Sequence, residues 1–423
     1  MKFLKFALLV LLVSAGTLSA QVHDHKEGHN AELNERDVQA LQQFVSTKRA
    51  IDLKEKVDHL EIAGDVRTEW RHMTERDKKS TIRGVGFTHV RDPITHGRIP
   101  RRPDKNDLPI GCNDFDIEAN LYFNYILEKA WAKMQIEFDN SAGIDNSIFC
   151  ACDKHKNRFL GSGNCDDICL ERAYMGYNVF KDCGRLDIEL GRRHLYDVFD
   201  SEMQFLSRYD GILINYSDDL GFAEWYVHAI GFLIDQRVSH FGWGFETAFL
   251  NIQDSGIDLS YSFIDWRKRG LDHCGFHNPD NFKFANSQWT ITYNFNKETF
   301  CRPAELYAAF IYNHKRPTRQ NMAAYVGFYL GEVEKEGDWS FEVRYEWAQK
   351  YAIAYDDQSG IGVGNVLDDL CNYRYLGIAY QGVRFDTLYA LTDNLTIQAT
   401  LDIAGGPRMH RYSKMEIEAV YAF

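Results

Sequence analysis

Long hydrophobic runs are what this 423-residue chain lacks most clearly. After the first twenty residues no stretch of about 18 apolar residues occurs, which excludes a helical membrane protein. Positive charge is in deficit too. With 48 Lys and Arg against 61 Asp and Glu the formal net charge is -13, which argues against a nucleic-acid partner. No G-x-S-x-G, H-E-x-x-H or G-x-x-x-x-G-K motif is present, so no catalytic residue is assigned and the chain does not read as an enzyme. Gly360, Gly362 and Gly364 lie in a long loop without the strand–loop–helix setting of a phosphate site, and no cofactor is implied. Proline is scarce at 8 residues, against 31 Gly, 23 Tyr, 28 Phe and 8 Trp. Mean hydropathy, -0.40, does not separate a soluble protein from a barrel with a polar lumen and long loops.

What is present begins with an export signature. Lys2 and Lys5 precede an apolar run over 6–13 and a small, neutral stretch over 14–20, with Leu18-Ser19-Ala20 before Gln21. Residues 1–20 therefore read as a signal peptide, and no cysteine follows its cleavage site to carry a lipid anchor. Residues 21–59 read as a polar, His-rich periplasmic arm with a short helix in which Val38, Leu41 and Val45 fall at helical spacing. His23, His25 and His29 read as part of a solvated arm, not as a metal site.

From residue 60 the period changes to two. Leu60, Ile62, Gly64, Val66, Thr68 and Trp70 alternate with Glu61, Asp65, Arg67, Glu69 and Arg71. At the other end Phe423, Tyr421, Ala419, Ile417 and Met415 alternate with Ala422, Val420, Glu418, Glu416 and Lys414. About sixteen such segments recur over 60–423, many about ten residues long, the length of a tilted membrane strand. A soluble sandwich also alternates, so the connections discriminate better. One alternate set is short throughout: 126–129, 181–184, 217–221, 251–256, 296–303, 332–338 and 392–394. The other holds the long ones: 73–113, 140–168, 192–209, 267–286 and 349–374. Sorting of loops by parity predicts an all-β fold, a transmembrane antiparallel β-barrel with short turns on one rim and long loops on the other.

The third long connection is dense in both charge signs and in aromatics. Folded inward, its acids would face Arg67, Arg71, Lys133, Arg172, Arg185 and Arg344, which fall at inward positions by the alternation. Opposed charges would then set up a transverse field that orients and filters polar solutes. A solvated external loop with scattered charge is the other reading of the same residues.

The export segment, the alternating strands, the charged third loop and the terminal Phe423 together resemble bacterial general or substrate-selective porins, over about 61–423. That resemblance implies a third external loop folded into the pore as its constriction, with Arg192, Arg193, Asp197, Asp200 and Glu202 as its charged residues. It implies passive diffusion of small hydrophilic solutes or ions through a water-filled pore in outer-membrane lipid. Tyr421 and Phe423 end the last strand on the short-turn rim, where they read as a closure and insertion signal for barrel-assembly machinery. A structural or adhesive barrel is the competing class.

Nine cysteines are present, all in or at the edge of a predicted loop or turn. In an exported chain Cys112, Cys150, Cys152, Cys165, Cys169, Cys274 and Cys371 read as disulfide candidates. Cys150, Cys152, Cys165 and Cys169, with His155 between them, also have spacing that suits zinc. Cys183 and Cys301 fall on the short-turn side. An odd total leaves a thiol for a second copy or for a disulfide-linked envelope partner. This cysteine content resembles that of the cysteine-rich porins of chlamydia-type bacteria.

Overall fold

The computed structural model describes residues 59–76, 81–83, 89–91, 98–100, 113–141, 166–181, 184–235, 240–267, 284–315, 319–354, 357–362, 379–406 and 411–423. The expected signal peptide, the polar arm and its helix lie outside these residues. So do Cys112, Cys150, Cys152, Cys165, Cys183, Cys274 and Cys371.

Sixteen long strands follow one another: β1 (Leu60–Arg76), β2 (Asn113–Ile126), β3 (Ala130–Ser141), β4 (Asp166–Phe180), β5 (Arg185–His194), β6 (Arg208–Asp219), β7 (Glu224–Asp235), β8 (His240–Leu250), β9 (Ile257–Arg267), β10 (Phe284–Phe295), β11 (Ala304–Asn313), β12 (Met322–Glu332), β13 (Trp339–Ala348), β14 (Tyr380–Thr392), β15 (Leu395–Gly405) and β16 (Arg411–Ala422). Each pairs antiparallel with its sequence neighbours, and β1 pairs with both β2 and β16. The sheet is therefore a closed barrel with no free edge. A three-residue strand, Thr81–Arg83, extends the ladder at the end of β1, and His89–Arg91 pairs separately with Arg98–Pro100.

Closure is fixed at the last residue. The Phe423 amide donates to the Gly64 carbonyl at 2.9 Å, and the Gly64 amide donates to the Phe423 carbonyl at 2.9 Å. The Phe423 ring lies over Gly64, where a Cβ would stand 2.6 Å from its Cζ. A glycine in this strand admits the close approach of the aromatic ring.

Period two decides the faces. On β11, Tyr307, Ala309 and Ile311 are buried inward while Leu306 and Phe310 stand exposed outward. Ile62, Met175, Trp289, Ile291 and Ile403 continue that outward belt around the barrel. Such an apolar belt is unlike the surface of a monomeric soluble protein and suits an apolar surround. The strand ends keep the expected parity: the connections 127–129, 181–184 and 220–223 are short on one rim, and the long ones lie on the other. Two connections on the long-loop rim, 236–239 and 406–410, are short as well. Strand β4 begins at Asp166, so Cys169 sits inside a strand opposite Glu137, not at a loop edge; Ile168 and Leu170 carry the outward apolar face upstream of the expected start near residue 170.

Candidate pore constriction

The third long connection shortens to residues 195–207, because β5 continues through His194 and β6 starts at Arg208. A one-turn 3₁₀ helix, Leu195–Asp197, opens it, and the Leu195 amide bonded to the Ser207 carbonyl at 2.9 Å closes its base. Within this charged segment Leu195, Val198, Phe199, Met203 and Phe205 are buried. They do not face outside water. Phe199 and Phe205 pack together, ring centroids 5.0 Å apart, against Leu213, Ile230, Ile264 and Phe284 of the inner wall. Met203 packs against Tyr307, Ile311 and Tyr325 further round. Burial of each such side chain is worth about 1.5–3 kcal/mol, enough to seat the loop inside the barrel. Part of that offsets the left-handed backbone at Phe205, φ 77°.

Polar contacts then peg the loop to successive strands. His228 of β7 donates from Nδ1 to the Val198 carbonyl at 2.8 Å. The Asp200 amide donates to Glu246 Oε2 of β8 at 3.1 Å, and Tyr226 holds Oε1 of the same carboxylate at 2.9 Å. Gln288 of β10 donates to the Asp200 carbonyl at 2.6 Å and accepts from Ser201 Oγ at 2.7 Å. A second inward segment locks the return path: the Ser359 amide donates to the Met203 carbonyl at 2.9 Å, and Gln204 bridges to Gln358.

The expected constriction residues separate into three groups. Arg193 and Asp197 stand at the loop's root. Arg193 pairs with Glu189, reaches the Asp197 carbonyl at 3.4 Å and lies 4.5 Å from the Tyr174 ring centroid. Arg172 pairs with Asp197 at 2.9 Å. Asp200 and Glu202 lie at the far side of the loop. Arg192 belongs with neither: it shares the outward face of Leu190 and grips Asp210 with two bonds, 2.7 and 2.8 Å. The signal was available, since Arg192 keeps the parity of Leu186, Ile188 and Leu190 once the strand is carried past Gly191.

Arg344, expected as a lumen charge, is a clasp. Its guanidinium is 3% exposed and bonds Glu202 of the loop, Glu342 at 2.6 Å and Glu346 at 2.9 Å. Glu346 also accepts from the Tyr380 hydroxyl at 2.7 Å and from the Ile361 amide at 3.0 Å. Gly360, φ 67°, lets the second segment pass; a Cβ there would stand 2.6 Å from a Glu346 oxygen. Enclosure within the barrel pushes the Glu202 carboxyl up to about 7, against the pull of Arg344. Burial likewise raises Asp200. Neither acid had a sequence signal for such enclosure.

The remaining wall charges occupy the opposite arc. Arg67 bonds Asp65 at 2.8 Å, and Glu118 and Glu418 approach at 3.8 and 3.9 Å. Arg71 lies among Glu69, Asp116 and Glu416. Arg185 pairs with Asp187 at 2.7 Å, and Lys133 stands opposite Asn124 and Tyr174 in register. Two charges not assigned to the lumen from the sequence complete this arc. Arg384 grips Asp402 at 2.7 and 2.8 Å, and Lys414 bonds Glu416 at 2.9 Å. Both follow the two-residue period of their strands. Among the described residues no group of three or more His, Cys, Asp or Glu is arranged to hold a metal ion.

No family model matches the chain, and no curated protein matches it. Solved structures do. The high-pH structure of Pseudomonas putida OprB has a TM-score of 0.51 at 10% identity, covering 88% of this chain and 96% of that one. Its low-pH structure has a TM-score of 0.48 at 11% identity, covering 87% and 95%. A triple mutant of the Rhodopseudomonas blastica porin has a TM-score of 0.41 at 7% identity, covering 86% and 100%. These neighbours are bacterial outer-membrane porins, and what the chain shares with the first of them is the fold of a closed antiparallel barrel.

Proposed function

We propose that the protein is an outer-membrane porin, a channel for passive diffusion of small hydrophilic solutes or ions, with no covalent step and no energy source. The observation that carries this reading is the seated loop. Residues 195–207 cover one arc of the inner wall, and the facing arc is lined by ion-paired side chains; in this reading water and solutes pass between the two. An apolar outward belt on a closed barrel fits it to lipid. In this reading Arg193, Asp197, Asp200 and Glu202 border the constriction, while Arg192 braces the wall outside it. Residues 1–20 direct export and 21–59 stay in the periplasm. Discrete conductance steps in planar bilayers and sugar-permeable liposomes are the expected results. Their absence from purified, folded protein would favour a structural barrel and reject the channel.

Two parts of the reading concern partners. Phe423 and Tyr421 serve barrel-assembly machinery as an insertion signal: Phe423→Ala should lower the amount of folded barrel in the membrane and leave unit conductance unchanged. The cysteines cross-link the protein to a second copy or to other envelope proteins, as the resemblance to chlamydia-type porins suggests. Oligomers that collapse with reductant on gels are expected; monomer without reductant would exclude this.

A further inference from the structure

The channel reading leaves the sign of the favoured ion open, and the stoichiometry of the lumen's ion pairs bears on it directly. Arg67, Arg71 and Arg344 each stand among three carboxylates. Arg193 has two, Glu189 and Asp197, and Lys414 has two, Asp402 and Glu416. Arg384 and Arg172 share their acids, Asp402 and Asp197, with those neighbours. Arg185 matches Asp187 one for one, and Lys133 adds a single base. Taken together, these nine bases face thirteen distinct carboxylates, so the set as a whole is more than neutralised, although Arg185 and Lys133 are not locally.

The arc that seats the loop adds acids with no counterweight. Among the described residues, Asp200 on the loop, Glu246 on β8, Asp258 on β9 and Glu305 on β11 have no basic side chain in ion-pair reach. Glu246 is buried and satisfied by Tyr226 and the Asp200 amide. Asp258 accepts from the Asn251 amide and from Asn294 at the short-turn rim. Among the described residues the Asp200 and Glu305 carboxylates have no hydrogen-bond partner, and Glu305 shares the inward face of Tyr307 and Ala309 on β11. Low-dielectric walls focus the field of such groups into the water between them and concentrate counter-ions there.

We infer that the passage beside the loop is cation-selective, with Asp200 and Glu305 as specificity-determining residues. This deepens the channel reading and rests on it. Wild-type protein in planar bilayers under a KCl gradient should give a K⁺ to Cl⁻ permeability ratio of about three or more. Raising mean KCl from about 0.1 M to about 1 M shortens the screening length from about 10 Å to about 3 Å and should pull the ratio toward one. The Asp200→Asn, Glu305→Gln double variant should lose at least about half of the wild-type ratio at low salt. A wild-type ratio at or below one overturns the inference while the channel stands. A ratio the double variant leaves unchanged removes Asp200 and Glu305 from the role. No conductance at all rejects the channel reading and this inference together.

Discussion

The two arcs of the barrel wall obey the same two-residue period and do opposite things with it. Strands β6–β12 turn Leu213, Ile230, Ile264, Phe284, Ile311 and Tyr325 inward, and the loop covers them. Strands β14–β16 and β1–β5 turn Arg384, Lys414, Arg67, Arg71 and Arg185 inward, each held by carboxylates. The difference separates two jobs. Apolar inward positions form a dry seat that stabilises the constricted state. Charged inward positions form a wet wall, where an exposed pair such as Arg185–Asp187 contributes about 0–1 kcal/mol and so acts on the field more than on stability.

The largest break in this contrast should come where the arcs meet. Arg344→Gln leaves Glu202, Glu342 and the fully buried Glu346 facing one another, at a cost of about 3–5 kcal/mol. The melting temperature should fall and residues 195–207 should become open to protease; an unchanged melting temperature would show that the clasp does not stabilise the fold. Next is the seat itself. Phe199→Ala removes a 2%-exposed ring and should cost about 3 kcal/mol of loop docking. Unit conductance should rise as the loop leaves the lumen, with circular dichroism of the barrel unchanged.

A subtler effect lies at Glu202. Its folded value near 7 stands above its ordinary 4.5, so docking takes up a proton between those values. The contribution is full below about 4.5 and is lost as pH rises through 7. Transient high-conductance openings should therefore become more frequent from pH 5 to pH 8, and Glu202→Gln should flatten that trend. The smallest effect belongs to the wet wall. Arg185→Gln removes a 59%-exposed partner of Asp187 and should shift stability by less than about 1 kcal/mol, while moving ion selectivity further toward cations. A loss as large as that of Phe199→Ala would erase the distinction between the arcs.

Much of this architecture is legible in the chain. Alternation marks sixteen strands, with β11 and β13 bounded as expected, because side-chain direction in a strand is a local property of the backbone. Phe423 reads as the end of the last strand; that strand runs to Ala422, and Phe423 follows it with reciprocal bonds to Gly64. The inward positions of Arg67, Arg71, Arg172, Arg185 and Arg344 follow from the same period. Boundaries slip where charge is dense: β4 starts at Asp166, where Asp166 and Asp167 look like loop, and β5 runs to His194 through Arg192 and Arg193.

What the sequence alone determines, then, is which face each residue takes and which rim each connection leaves from. Period two and loop parity are set by neighbours along the chain. Only the closed barrel decides who meets whom across the lumen. That Arg344 is a buried clasp, that Phe199 and Phe205 have a seat, and that Arg192 turns outward to Asp210 depend on residues tens of positions apart. Their pairing follows from register and from the burial of the loop, and no local pattern encodes either.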